Sequence, residues 1–142
     1  AFAAYNTFLN LTSEDDQAAC LRGVASVVRP GGVVAIEAFV PAGDVPDGPG
    51  PVSTQTVALD RVVLAVADHD ADAQLITGQH IELRDGEPPR LRPWRLRYVH
   101  AAQLDEMAED AGLRLDYRWS DWSGTPFRDD SESHVTIYRR PA

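Results

Sequence analysis

The chain has 142 residues and a formal net charge of −9 at pH 7, from 22 acidic and 13 basic residues. Nucleic acids and anionic membranes attract clustered cations, so this charge argues against both as partners. No apolar stretch approaches the ~20 residues that cross a bilayer. The single cysteine, Cys20, excludes an internal disulfide. We therefore expect a cytoplasmic protein, with residues 1–142 forming one domain or part of one.

The chain opens on an apolar segment, AFAAYNTFLNL over residues 1–11. This pattern predicts the end of a buried strand followed by a short helical turn, with Tyr5 and Asn6 emerging at the strand end. The alternative is that Asn6 caps the turn and Tyr5 packs with its hydroxyl at the surface. Because the opening lacks an initiator Met and is apolar, we expect a fragment or a processed product, a trimmed natural start being the alternative.

The first helix is predicted to start at Thr12 or Ser13. Ser13 followed by Asp16 resembles a capping box, and the acidic residues of this turn suit the positive end of the helix dipole, so they indicate a helix start rather than a metal site. An apolar stripe at helical spacing completes the pattern, with Leu21, Val24, Ala25 and Val28.

A forced turn and a buried strand follow this helix. Pro30 ends the helix, and Gly31 and Gly32 permit a sharp reversal. Residues 33–36 are apolar without alternation, which predicts a strand covered on both faces, as in parallel α/β sheets. We expect this strand to be central and flanked by residues 2–5. Glu37 then lies near the carboxyl end of the strand, where open α/β sheets bind ligands.

Residues 40–53 are rich in Pro, Gly and Asp and predict a loop, either a lid or a linker. Residues 54–99 show no helical period and predict three antiparallel strands, Thr54–Ala67, Ala73–Arg84 and Arg92–Val99, with turns at 68–72 and 85–89. The acidic turn lacks the Gly and Glu of a calcium loop, so we assign no metal.

A local basic patch stands out in this acidic chain. The arginines are either paired with nearby carboxylates, such as Glu82, Asp85 and Glu87, or they receive an anionic substrate or partner. The patch comprises Arg84, Arg90, Arg92, Arg95 and Arg97.

The last 43 residues, 100–142, predict a helix and two strands. The helix spans His100–Ala111, with Gly112 as its C′ residue. Alternating residues then predict a strand over 113–119, and a loop leads to a last strand, His134–Arg139.

Two of these segments resemble a known family. VVRPGGVVAIEAF over residues 27–39 and RYVHAAQLDEMAEDAGLRLDYRW over residues 97–119 resemble the second half of class I S-adenosylmethionine-dependent methyltransferases. That family has a Leu-x-Pro-Gly-Gly turn before its fifth strand and an Arg-Tyr…Glu-Leu…Ala-Gly helix before its sixth. Val28 replaces the usual Leu, and Gln103 the frequent Glu. The family's glycine-rich donor-binding motif is absent from the chain.

The resemblance implies an α/β fold, the carboxyl-terminal part of a Rossmann-like methyltransferase sheet. Residues 1–39 and 100–142 would form the Rossmann-like part, and residues 40–99 a loop plus an antiparallel β insertion after the fifth strand. It further implies a methyltransferase acting on a small molecule with S-adenosylmethionine as cofactor, of which this chain is the substrate-side half and by itself a poor enzyme.

Candidate site residues follow from that topology. The end of the fourth strand, at Ala4, Tyr5 and Asn6, would contact the cofactor. Glu37, Arg97, Tyr98 and His80 are the candidate substrate contacts, His80 as a base; the alternative places His80 on an exposed strand face. No catalytic residue is assigned, because direct methyl transfer needs chiefly alignment.

A second hypothesis comes from another class of protein. The chain could be a non-catalytic α+β binding or assembly domain whose apolar amino terminus is a subunit interface. Both hypotheses predict an association, either with a second copy or with an amino-terminal half, because uncovered sheet edges and apolar faces rarely remain bare.

Overall fold

The computed structural model describes residues 1–43 and 46–142 and divides the chain into two compact units. The first unit comprises residues 1–42 and 99–142, and the second residues 43–98. The predicted loop over residues 40–53 includes residues 44 and 45, which lie outside the described part. No helix of the described residues is long and apolar enough to span a membrane.

The first unit contains two α-helices and four strands. They are β1 (Phe2–Ala3), α1 (Glu14–Val27), β2 (Val33–Phe39), α2 (Ala101–Asp110), β8 (Arg114–Trp119) and β9 (Ser133–Arg139), with a 3₁₀ turn at Thr7–Asn10. The second unit contains five strands. They are β3 (Gly48–Pro49), β4 (Ser53–Val57), β5 (Arg61–Asp70), β6 (Leu75–Arg84) and β7 (Arg90–Arg97).

The sheet of the first unit has the order β1-β2-β9-β8. β1 runs parallel to β2, with Phe2 opposite Ala35, whereas β9 is antiparallel to both β2 and β8. β2 therefore lies between two strands, and the predicted central strand flanked by residues 2–5 is confirmed. Its unbroken apolar run reflects this position, since Val34, Ile36 and Ala38 are all buried.

α1 begins as predicted, because the Ser13 hydroxyl oxygen accepts the Asp16 N–H at 3.1 Å.

The turn between α1 and β2 depends on its glycines. Gly31 has a φ of 75°, in the region that favours glycine. A Cβ on Gly32 would lie 2.7 Å from the Val28 side chain and 2.8 Å from the Arg29 carbonyl, so no larger residue fits there.

The two faces of this sheet differ in coverage. His134, Thr136 and Tyr138 share one face of β9 and are fully buried, and Asp105 of α2 accepts a hydrogen bond from the Tyr138 hydroxyl at 2.7 Å. Residues paired across strands share a face. The opposite face therefore carries a row across all four strands, Phe2, Ala35, Ile137 and Tyr117. Of these, Phe2 is 75% exposed and Tyr117 56% exposed.

The sheet of the second unit is antiparallel, with the order β3-β5-β6-β7 and with β4 also paired to β5. The prediction of one strand over Thr54–Ala67 was wrong, because a turn at Ala58–Asp60 divides it into β4 and β5. Leu59 lies in this turn and is fully exposed. Because it is apolar, the sequence pattern did not indicate a turn there. The predicted turn at 68–72 was also misplaced. β5 continues to Asp70, and the chain reverses at 71–74, where Gln74 has a φ of 55°.

Candidate active site

The parallel pair β1 and β2 ends at one edge of the first unit's sheet. The chain leaves β1 through Ala4, Tyr5 and Asn6, and Glu37 lies two residues before the end of β2. Because carboxyl ends of parallel strands meet at the same edge, the four predicted positions come together there.

Glu37 is the centre of this cluster. Its Oε2 accepts two hydrogen bonds, one from the Tyr5 N–H at 2.8 Å and one from the Trp122 Nε1–H at 2.9 Å. The side chain of Glu37 is half-buried. Two donors from separate segments therefore fix the carboxylate and join β1, β2 and the loop between β8 and β9.

The backbone at Tyr5 and Asn6 is left-handed, with φ values of 53° and 58°. Such a conformation costs a non-glycine residue roughly 1–2 kcal/mol, and it persists only where the surroundings hold it. The Asn6 side-chain Oδ1 accepts the Phe39 N–H at 2.8 Å, and the Tyr5 N–H is held by Glu37. Asn6 is the N-cap residue of the 3₁₀ turn, as the alternative has it, but its side chain makes no capping hydrogen bond. The Tyr5 side chain is 89% exposed.

The sequence did not indicate Trp122 as a site residue. Its ring is half-exposed and meets the Phe2 ring edge-on, with 6.5 Å between the ring centroids. The loop that carries it is shaped by Asp121, whose Oδ1 accepts the N–H groups of Ser123 and Thr125. A hydrogen bond with the Thr125 side chain lowers the pKa of Asp121, which favours the charged acceptor. The available signal was an aromatic residue inside a polar, glycine-containing turn.

Arg97 and Tyr98 lie at the end of β7 in the second unit, and both are buried. The Arg97 Nη2 donates to the Gln74 Oε1 at 3.0 Å. The Tyr98 hydroxyl lies 2.9 Å from the His69 Nε2, and the His69 Nδ1 lies 3.2 Å from the Pro46 carbonyl oxygen. Since a carbonyl only accepts, Nδ1 carries the proton and the Tyr98 hydroxyl donates. Burial, followed by the charges of nearby Asp47 and Asp70, raises the pKa of Tyr98.

His80 lies on β6 opposite Arg92 and contacts the Trp94 ring, with 6.1 Å between the centroids. Its side chain is half-buried, and the neighbouring Arg92 is exposed. The interactions described for Arg97 and Tyr98 involve partners other than His80. The structure therefore brings Ala4, Tyr5, Asn6 and Glu37 together. In the second unit, Arg97 and Tyr98 lie together beside Gln74, whereas His80 lies elsewhere on the sheet, opposite Arg92.

The basic patch consists largely of paired arginines. The carboxylate of Glu82 is buried and forms ion pairs with Arg61, Arg84 and Arg92 at 3.6, 3.3 and 2.9 Å, and Arg90 pairs with Glu87 at 3.6 Å. The hydrogen bond from Arg84 is the main cause that lowers the pKa of Glu82. Pairing with carboxylates, the first of the two interpretations, is confirmed for these residues.

No protein-family model matches the chain, and no curated protein matches it in sequence. Among solved structures, the CcbJ methyltransferase from Streptomyces caelestis is 37% identical, with a TM-score of 0.90, over 98% of this chain and 59% of that one. A methyltransferase from Clostridium acetobutylicum is 11% identical, with a TM-score of 0.82, over 99% of this chain and 57% of that one. CalS10, an amino pentose methyltransferase from Micromonospora echinaspora, is 15% identical, with a TM-score of 0.67, over 98% and 56%.

The last two similarities, at low identity, concern the fold alone. The chain spans somewhat more than half the length of each of these proteins. The strand order β1-β2-β9-β8, with β1 and β2 parallel, agrees with the central strand flanked by residues 2–5 that the sequence predicts. In its fold and in its 37% identity to CcbJ, the chain is similar to class I S-adenosylmethionine-dependent methyltransferases.

Proposed function

We propose that this chain is the substrate-side half of a cytoplasmic S-adenosylmethionine-dependent methyltransferase that acts on a small molecule. The observation that carries the proposal is the cluster of Tyr5, Asn6 and Glu37 at the carboxyl edge of β1 and β2. The cluster lies in a fold shared, at 37% identity, with the CcbJ methyltransferase.

Ala4, Tyr5 and Asn6 form the proposed cofactor side of the site. The left-handed backbone turns the chain sharply at the strand end, where the Tyr5 side chain is almost fully exposed and the Tyr5 N–H donates to the Glu37 carboxylate. An aromatic ring and a carboxylate both attract a cation, so this edge suits the sulfonium end of the cofactor. When bound, S-adenosylmethionine supplies an electrophilic methyl group.

Glu37 is the proposed contact to the acceptor. Both of its hydrogen bonds use Oε2, so the direction of Oε1 is fixed by the Tyr5 N–H and the Trp122 indole. A fixed carboxylate oxygen can accept an N–H or O–H of the acceptor, align its lone pair and take its proton. The half-exposed Trp122 and Phe2 rings supply apolar surface beside this oxygen.

Arg97, Tyr98 and His80 remain the proposed substrate contacts of the second unit. Arg97 donates to Gln74, and the Tyr98 hydroxyl donates to His69. Gln74 and His69 would therefore hold Arg97 and Tyr98 in place for these contacts, and His80, half-buried against Trp94, would be a polar contact.

An amino-terminal half is the proposed partner of this chain. The sheet face that carries Phe2 and Tyr117 is exposed at these two residues, although Ala35 and Val135 of the same face are buried, and among the described residues β1 is hydrogen-bonded only to β2. The family's glycine-rich motif is also absent from the sequence. One preceding α/β segment could cover the exposed face, extend the sheet beyond β1 and provide backbone donors for the cofactor.

The experiment is a methyl-transfer assay on the polypeptide that includes the segment encoded before Ala1. It uses S-adenosylmethionine with a radioactive methyl group and a panel of small amines and alcohols. We expect labelled product, and we expect Glu37→Gln to lower kcat/KM by about 10²–10⁴-fold. Glu109→Gln, at an exposed carboxylate of α2, is the matched control and should retain activity. An extended polypeptide that neither binds the donor nor transfers methyl groups would instead favour the non-catalytic assembly domain.

A further inference from the structure

The β-sheet of the second unit has one apolar face whose residues are exposed or half-buried. Side chains of residues paired across strands share a face, so the register of β4 to β7 identifies its members. Val57 is 75% exposed, Leu91 62% and Leu83 41%. We call this surface the docking face; its apolar residues are Val57, Val62, Leu64, Ile81, Leu83 and Leu91.

At one end of the docking face, an acidic residue and an arginine lie in the same row across the sheet. Asp68 of β5 pairs with Thr77 of β6, and Thr77 pairs with Arg95 of β7, so the three form one row across the sheet. Asp68, Thr77 and Arg95 are exposed. The acidic residue and the arginine therefore lie on opposite sides of β6, each one strand away from it.

We propose that two copies of this chain pack their docking faces together, related by a two-fold axis that runs along β6. A rotation about this axis exchanges the β5 side of one copy with the β7 side of the other. Asp68 of each copy then lies over Arg95 of its partner, and the contact occurs twice. The same rotation places Leu64 over Leu91 and brings the two Ile81 side chains together.

The charges favour a second copy as the occupant. An isologous interface must be complementary to itself, and acids and arginines placed symmetrically about β6 meet that condition. A partner of one charge would meet repulsion on one side of β6 whichever its sign. Burial of the apolar residues would stabilise the dimer. The contacts between Asp68 and Arg95 would determine which residues of the two copies face each other.

The size of the face is sufficient for a reversible dimer. β5 and β6 have ten residues each. Ten residues extend about 33 Å and four strands about 19 Å, so two copies would bury about 1,200 Å² in total. This value lies at the lower end of specific interfaces, so we expect a dimer that dissociates on dilution.

The test is sedimentation velocity on the 142-residue chain from about 1 to 100 μM. We expect the wild type to dimerise with increasing concentration. Asp68→Arg and Arg95→Asp should each raise the dissociation constant at least tenfold, because each variant places like charges opposite each other. An equimolar mixture of the two variants should associate, since every contact is again between opposite charges. The double variant Asp68→Arg/Arg95→Asp should also dimerise.

Asp85→Arg, an equal change of charge in the exposed turn after β6, is the matched control and should dimerise as the wild type does. Thr77→Cys in a Cys20→Ser background gives a second measurement that does not depend on charge. Because Thr77 lies on the axis strand, we expect it to form a disulfide between two copies under oxidation. A wild type that is monomeric at 100 μM would overturn the proposal. Single variants that dimerise normally, or a mixture that does not associate, would overturn this geometry.

Discussion

His134 is fully buried in the first unit, and its burial predicts that acid destabilises the fold. The Arg118 Nε donates to the Thr136 hydroxyl oxygen at 2.9 Å, and the same hydroxyl is hydrogen-bonded to the His134 Nδ1 at 2.8 Å. Nε2 is buried without a hydrogen-bond partner among the described residues.

This environment lowers the pKa of His134 from 6.5 to about 4. Burial is the main cause, the positive charge of Arg118 acts in the same direction, and Asp105 opposes both. The unfolded chain therefore takes up a proton near pH 6.5, whereas the folded chain resists protonation until about pH 4. The contribution to stability is complete above pH 6.5 and is lost as the pH falls toward 4.

The magnitude follows from proton linkage. With pKa values of about 4 and 6.5, the free energy of unfolding falls by about 2 kcal/mol between pH 8 and pH 5, and by about 3 kcal/mol when titration is complete. A loss of this size is a large fraction of the stability of a small domain.

The assay is urea unfolding at pH 8, 7, 6 and 5 for the wild type and for His134→Asn, which keeps an acceptor for Thr136 but does not titrate. We expect the variant to be less stable at pH 8, because the smaller side chain leaves a cavity, yet to lose about 2 kcal/mol less on acidification. His100→Asn, at the exposed cap of α2, is the control and should lose stability with pH as the wild type does.

Equal losses in the wild type and in His134→Asn would refute the reasoning. If that variant does not fold, an NMR titration of the wild-type imidazole signals answers the same question. One ring should remain neutral to about pH 4. A His134 ring that titrates near pH 6.5 would contradict the burial argument.

Two further predictions concern glycine and the left-handed turn, each measured by urea unfolding. Gly78→Ala should lower the free energy of unfolding by about 1–3 kcal/mol, because the new Cβ would lie 2.2 Å from the Trp94 ring. Gly23→Ala in α1 should raise it by up to about 1 kcal/mol, because the new Cβ meets nothing within 4 Å. Tyr5→Gly should raise the free energy of unfolding of the isolated chain by about 1 kcal/mol, because glycine adopts a φ of 53° without strain. The same variant should weaken cofactor binding when the preceding segment is present. Tyr5→Ala is the control and should not stabilise the chain. Loss of stability on Tyr5→Gly would show that the turn is not strained.

Local sequence chemistry was sufficient for much of the fold. The unbroken apolar run before Glu37 predicted a central strand, since only a strand covered by neighbours and on both faces tolerates such a run. Ser13 with Asp16 predicted the start of α1, because that cap is formed by residues three apart. These features depend on neighbouring residues and are therefore visible in a single sequence.

Features that depend on long-range contacts were less accessible. The hydrogen bond from Trp122 to Glu37 joins residues 85 positions apart, and no local sequence pattern predicts it. The left-handed backbone of Tyr5 is held by Glu37, 32 positions away, so propensity alone would not place a tyrosine there. Leu59 led to the opposite kind of error. It is apolar and continues the strand pattern in the sequence, but in the structure it lies in an exposed turn between two strands.

The proposed function implies that residues 1–142 lack most of the contacts that bind the methyl donor. Gly31 and Gly32 precede a strand instead of opening a helix, so they present no helix-terminal N–H groups, and the proposed site at Tyr5 would contact only one side of the cofactor. Each missing contact is worth ~1–3 kcal/mol, and the loss of several lowers affinity by orders of magnitude. Isothermal titration calorimetry with S-adenosylmethionine and S-adenosylhomocysteine should therefore show no measurable binding to residues 1–142, and restored binding when the preceding segment is included. Micromolar binding to the 142-residue chain alone would contradict the account.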